Sequence, residues 1–258
     1  MPTRRTTAMG ATPQQQYLYS LGLAGEDQVN RAFGGGLPTG SLAVVEGRHG
    51  AGKSTLAGRF AYGLCEQSQT VTYLSTERGF TRFLSQMRSL SYNVQKSLLR
   101  RDLLYLFGDL SGSEGDDQPE LLSRLQAAQQ LWTNDVIVFD TFSDILLYDP
   151  TVEALAEQGN YRRAVQRILT FFRRIMATGT TIVLLVSPSG LPRETMEPLR
   201  AVADVLLDIT VDNSGGRQYR WINVRRFAGM GQQVDDRISF SIRPGAGIVI
   251  ENRQVVNR

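Results

Sequence analysis

The sequence predicts an α/β fold, with a mostly parallel central sheet flanked by helices and antiparallel strands at the C-terminal end. Three observations carry this. Leu42-Ala43-Val44-Val45-Glu46, Val136-Ile137-Val138-Phe139-Asp140 and Thr180 to Val186 are short and almost wholly apolar, as strands covered on both faces must be. Segments with apolar residues at helical spacing alternate with such runs, the arrangement of a parallel sheet. From Asp204 onward, strand-like runs follow one another with turns and no helical period.

Residues 1–16 are polar and rich in Thr, Gln and Arg, the composition of a disordered tail. Tyr17, Leu18, Leu21, Leu23, Val29 and Phe33 mark a short segment docked before the core. Gly34-Gly35-Gly36-Leu37-Pro38-Thr39-Gly40 is a turn cluster leading into the first strand. After that strand comes Gly47-Arg48-His49-Gly50-Ala51-Gly52-Lys53-Ser54, which fits G-x-x-x-x-G-K-[ST], with Thr55 next in line. Leu56, Phe60 and Leu64 then repeat every fourth residue, so the motif lies between a strand and a helix. That is the setting of a phosphate-binding P-loop. Glycines let several N–H groups converge on one anion, and the helix N-terminus adds positive potential. Lys53 is placed to reach outer phosphates and Ser54 to ligate Mg²⁺.

Val71 to Thr76 is β-branched and aromatic, a second strand closing on Glu77. Phe80, Phe83, Leu84, Met87 and Leu90 predict a helix after it. Leu103 to Phe107 reads as a third strand, Ser111 to Pro119 as an acidic mobile loop, and Leu121, Leu122, Leu125 and Ala128 as a helix. The fourth strand ends on Asp140, where a metal-holding carboxylate of the Walker B kind belongs; Thr141 and Ser143 lie close behind. Val165, Ile168, Leu169, Phe172, Ile175 and Met176 form an amphipathic helix stopped by Gly179. Its opposite face carries Arg162, Arg163, Arg167, Arg173 and Arg174, either a solvated face or a surface for an acidic partner. The late strands run over Val205–Val211, Tyr219–Arg226, Ile238–Ile242 and Ile248–Glu251, with Asn213-Ser214-Gly215-Gly216 as a hairpin turn.

Composition narrows the chemistry. At 258 residues and 41% hydrophobic, the chain can build one large α/β domain. No run is apolar and long enough for a membrane helix, and the first residues lack the apolar core of a secretory signal. Cys65 is the sole cysteine, so no internal disulfide forms, which suits a cytoplasmic protein. His49 is the sole histidine, which excludes a His-based triad or a His-rich metal site. The net charge of +3 is too mild to argue for nucleic acid, and aromatics are not interleaved with arginine as a stacking platform requires.

Glu77, at a strand end beside Asp140's strand, is placed to orient a water for γ-phosphate hydrolysis. Together with Gly35-Gly36-Leu37-Pro38, Val44-Val45-Glu46-Gly47, Val71-Thr72-Tyr73-Leu74-Ser75-Thr76-Glu77, Phe83-Leu84-Ser85-Gln86-Met87 and Ser89-Leu90, the chain resembles the KaiC-type RecA-like ATPases. Within them it resembles the FlaH (ArlH) family of archaellum regulatory ATPases, from about Phe33 to Glu251. The resemblance implies a single RecA-like P-loop domain over residues 17–258 that binds ATP with Mg²⁺. It implies a homo-oligomeric, hexameric ring with nucleotide at subunit boundaries, where Arg225 and Arg226 would reach a neighbour's nucleotide. It further implies a place at the inner face of the cell membrane, contacts with the archaellum motor ATPase and the membrane platform protein, weak hydrolysis, and nucleotide occupancy as a switch. Two departures stand out. The KaiC type carries two adjacent glutamates where this chain has Glu77-Arg78, which bears against fast turnover. Its basic–spacer–basic finger pattern is here Arg225-Arg226-Phe227. The alternatives are a RecA- or RadB-like DNA-handling ATPase and a KaiC-like autokinase acting on its own Ser or Thr.

Overall fold

The computed structural model describes residues 17–23, 28–108, 121–150, 152, 154, 161–189, 191–214 and 217–251. The N-terminal tail, the acidic stretch Ser111 to Pro119 and the Gly215-Gly216 tip of the hairpin turn lie outside them.

In chain order the elements are β1 (Leu18–Tyr19), α1 (Val29–Ala32), β2 (Leu37–Pro38), β3 (Leu42–Gly47), α2 (Lys53–Glu66), β4 (Val71–Ser75), α3 (Phe80–Ser89), α4 (Gln95–Arg100) and β5 (Leu103–Phe107). Then come α5 (Leu121–Ala127), a 3₁₀ turn (Gln129–Thr133), β6 (Val136–Asp140), α6 (Phe142–Tyr148), α7 (Tyr161–Met176), β7 (Thr181–Val186) and α8 (Arg193–Val202). The chain closes with β8 (Val205–Ser214), β9 (Arg217–Phe227), β10 (Arg237–Arg243) and β11 (Gly247–Glu251). The main sheet has the order β11-β10-β9-β8-β3-β7-β6-β4-β5. From β8 to β5 every pairing is parallel; β9, β10 and β11 add antiparallel. The predicted class, including the change at Asp204, is the observed one.

Strand parity builds two cores. On β3, Ala43 and Val45 join the α2 side, while Leu42 and Val44 join the α7 side. On β6, Val136 and Val138 face α2, whereas Ile137 and Phe139 meet Phe142, Phe172 and Trp132. The same parity aims Asp140 to the α2 side, where the P-loop lies. The segment before the core docks as expected: Leu21, Val29 and Phe33 are fully buried against α2, with Phe33 edge-on to Phe60 at 4.9 Å.

That docking depends on one glycine. A Cβ on Gly63, within α2, would stand 2.2 Å from the Leu21 carbonyl oxygen and 2.4 Å from Arg59 Nη1, which itself donates to that oxygen at 3.0 Å. A helical Gly→Ala change ordinarily stabilises by about 1 kcal/mol. Here the sign is expected to reverse, with Gly63→Ala destabilising by about 1–3 kcal/mol because a backbone carbonyl must move. Denaturant unfolding of the variant reads this directly; a gain in stability would show that Leu21 does not press on α2.

Candidate functional site

All parallel strands end at one edge of the sheet, so Gly47, Ser75, Asp140 and Val186 close together. Topology alone therefore gathers the P-loop, Glu77 and Asp140, which lie far apart in sequence. Gly52 turns the loop into α2 with φ +107°, a left-handed conformation that a side chain would strain. Its absent Cβ also leaves room for Ile242, whose Cδ1 would stand 3.1 Å from that Cβ.

Lys53 is buried. Its Nζ donates to the Gly47 carbonyl at 2.7 Å, the Arg48 carbonyl at 3.1 Å and Ser187 Oγ at 2.9 Å. Ser187 is itself held by Ser143, whose Oγ accepts from the Ser187 N–H at 3.2 Å. Burial lowers the Lys53 pKa, opposed by the charges of Glu77, Asp140 and Asp144. Ser54 Oγ donates to Asp140 Oδ1 at 2.8 Å, and the buried Tyr73 hydroxyl donates to Oδ2 at 2.8 Å. Burial raises the Asp140 pKa, partly offset by these two donors. A buried carboxylate whose direct partners are neutral hydroxyls, beside a second oxygen donor on the P-loop helix, suits a hard divalent cation. The site therefore fits Mg²⁺ by its donor chemistry.

Glu77 stands across the cleft. Thr141 Oγ1 donates to Glu77 Oε1 at 2.8 Å, and His49 Nδ1 lies 3.9 Å from the same oxygen. The Asp140–Thr141 peptide is cis. Thr141's N–H donates to Thr76 Oγ1 at 3.1 Å, and that hydroxyl donates to Asp144 Oδ2 at 2.9 Å. Arg78 does not turn to Glu77. Its guanidinium donates to Gln86 on α3, and Gln86 donates to Thr55 Oγ1 at 3.2 Å. A cavity of about 270 Å³ is bounded by the P-loop, Glu77, Arg78, Thr141, Arg220 and Ile242.

Arg225 and Arg226 are not brought here. Arg226 pairs in register with Leu206, which pairs with Val44, well down the sheet from Gly47. Arg226 Nη1 donates to the Ala203 carbonyl at 2.6 Å and to those of Arg200 and Ala201, closing the end of α8. Arg225 reaches Asp208 at 3.4 Å on the exposed side of the sheet. The sequence reading overlooks three contributors. Tyr73 shares the parity of Val71 and so faces α2, a signal that was available. Ser187 follows an apolar strand, as Glu77 does. Arg220 had no local signal: β9 runs antiparallel, and its early part passes the P-loop, where Arg220 Nε is buried without a hydrogen-bond partner among the described residues, 3.7 Å from where a Cβ on Gly52 would stand.

The KaiC ATPase family model matches residues 22–255. The chain belongs to the KaiC family. Among KaiC-family proteins it is 30% identical, over 225 residues, to the archaeal flagellar ATP-binding protein FlaH of Methanocaldococcus jannaschii, covering 87% of this chain and 92% of that one. This places it in the FlaH branch. The crystal structure of the flagellar accessory protein FlaH from the same organism superposes with a TM-score of 0.80 at 27% identity, over 92% of this chain and all of that one. A KaiC-like protein of Pyrococcus horikoshii shares the fold at a TM-score of 0.66 and 19% identity, over 87% and 95% of the two chains. Among the described residues, no helix of this FlaH-branch chain is long and apolar enough to cross a membrane.

Proposed function

We propose that this chain binds ATP with Mg²⁺ at its P-loop and works as a slowly hydrolysing, nucleotide-dependent regulatory subunit of an archaellum motor. One observation supports it above the others: Lys53, the Ser54–Asp140 pair and Glu77 converge on one cleft at the carboxyl ends of parallel strands. Kinship with a protein described as flagellar and ATP-binding supplies the setting.

In this reading Lys53 leaves neutral carbonyls for the outer phosphates, and the N-terminus of α2 receives the inner ones. Ser54 and Asp140 would hold Mg²⁺, which neutralises phosphate charge when bound. Thr141 fixes one oxygen of Glu77 and leaves the other to orient a water. A lone carboxylate, with Arg78 committed to Gln86, is a weak catalytic set, in keeping with slow turnover. Residues 17–258 act as a single unit, and copies form a ring. Arg225, held only by an exposed pair, is freer to reach a neighbour's nucleotide than Arg226, which three carbonyls retain. The motor ATPase and the membrane platform protein are the partners, met at the inner face of the cell membrane.

The test is ATP affinity and turnover on one sample, with Lys53→Ala and Glu77→Gln beside it. Lys53→Ala is expected to weaken ATP·Mg²⁺ binding about 100-fold, the scale of a lost charge-assisted contact. Equal binding would sink the assignment. Wild-type turnover well below about 1 s⁻¹ supports a switch, and turnover unchanged in Glu77→Gln would remove Glu77 from the hydrolytic role; faster turnover that collapses in the variant makes the chain a working ATPase.

A further inference from the structure

Helix α7 buries Ala164, Val165, Ile168, Leu169 and Phe172 against the sheet. Its outward face carries Arg162, Arg163, Arg167, Arg173 and Arg174, all exposed, and the helix contains no carboxylate. The whole chain nets only +3, so this one helix, with its five arginines, holds more positive charge than the chain does in sum. Among the described residues none of the five is in an ion pair. Like charges at this spacing oppose one another along the helix, so a carboxylate-bearing surface laid over them relieves a standing repulsion.

The two flanks of α7 differ. Toward α8 the groove is mixed, because Glu194 and Glu197 line it beside Arg162 and Arg173. On the other flank a groove of about 440 Å³ has a rim of Arg163, Arg167 and Arg174 and a floor whose accessible apolar part is the half-buried Phe171, with Val152 and Ile168 buried behind it; among the described residues no acid lines it. Arg163, Arg167 and Arg174 follow one ridge of the helix. A nucleic-acid backbone would satisfy the rim and leave the floor unfilled. A membrane surface would need several apolar side chains free to insert, and those of α7 are buried or, as at Phe171, half-buried. An acidic helix with an apolar stripe satisfies both rim and floor.

We infer that this flank of α7 is a docking surface for an acidic amphipathic segment of a protein partner. Its carboxylates pair with Arg163, Arg167 and Arg174, and its apolar side chains pack on the half-buried Phe171. The surface lies on the α7 side of the sheet, opposite the P-loop helix, and stands independently of what the P-loop binds.

The test uses the full chain and a fluorescein-labelled synthetic amphipathic peptide of Glu and Leu, read by anisotropy. Binding is expected to weaken about tenfold or more in R163E/R167E/R174E, with rising salt, and when the peptide's leucines become serines. The control R88E/K96E, elsewhere on the surface, is expected to bind as wild type does. Circular dichroism melting checks that the triple variant folds; if it does not, the single change Arg167→Gln is expected to weaken binding by a smaller factor. Equal binding by the folded arginine variants overturns the inference. So does equal binding of the serine peptide. Failure of the Glu/Leu peptide, with duplex DNA or phosphatidylserine vesicles bound through these arginines, also overturns it and assigns the face to phosphate.

Discussion

Phe172→Ala is expected to lower the unfolding free energy by about 3–5 kcal/mol, the range for emptying a buried aromatic site. Phe172 is wholly buried, and its ring lies 5.5 Å from Phe139, 5.9 Å from Phe142, 6.2 Å from Phe171 and 6.3 Å from Trp132. It is the hub of the α7-side core. Four aromatic neighbours cannot flow into the void without leaving their rotamers, so the cavity persists. Phe139 and Phe142 bracket Asp140 and Thr141, so loss of the hub also loosens the wall behind the cleft. Denaturant unfolding with the slope held constant checks the value; Phe172→Leu should restore most of it. A loss below about 1 kcal/mol would mean the cluster collapses to fill the site.

The second large effect is at Arg200. Its Nε and Nη2 donate to the two oxygens of Glu46 at 2.7 Å each, and the Glu46 side chain is 7% exposed against 45% for Arg200. Hydrogen bonding to Glu46 raises the Arg200 pKa. Removing the arginine strands a carboxylate in the core one residue before the P-loop. Arg200→Ala is expected to cost about 3 kcal/mol, the low end for a broken buried pair because Arg200 itself is half in water. Arg200→Lys recovers only part, since an ammonium cannot grip both oxygens. The double variant Glu46→Leu/Arg200→Met should regain most of the loss, because no charge is left unpaired. A double-mutant cycle measures the coupling; a value near zero would mean water already screens the pair.

These features differ in how far the sequence exposes them. Strands β3, β4, β6 and β7 and helix α7 were legible because burial on both faces, or on one stripe, writes itself into residue type. The P-loop was legible because its backbone demands particular residues in a row. Helix α8 was not, since Pro198 interrupts it and half of it is polar, although Met196 and Leu199 are buried. Helix α6 begins two residues after β6 and has only two turns, too short for a helical period to show, with no Gly or Pro between them. The Glu46–Arg200 pair and the approach of Arg220 to Gly52 depend on strand order, which local pattern does not encode. Glu46 looked like one more strand-end carboxylate, and only the packing of α8 shows what it holds.

The tie at Gly63 has a mechanical side. A helix of 14 residues, as α2 is, spans about 21 Å. One end begins at Lys53 in the phosphate loop. Toward the other, Arg59 and Gln67 clasp the carbonyls of Leu21 and Gly22 at 3.0 and 2.9 Å. From there the chain runs back into Tyr19, whose hydroxyl hooks the Gly179 carbonyl at 3.0 Å, at the foot of β7. Close-packed interiors compress little and pass displacement along. Helix α2 is thus a lever with the phosphate loop at its tip and the N-terminal strap at its butt, so a tilt at one end is levied on the other.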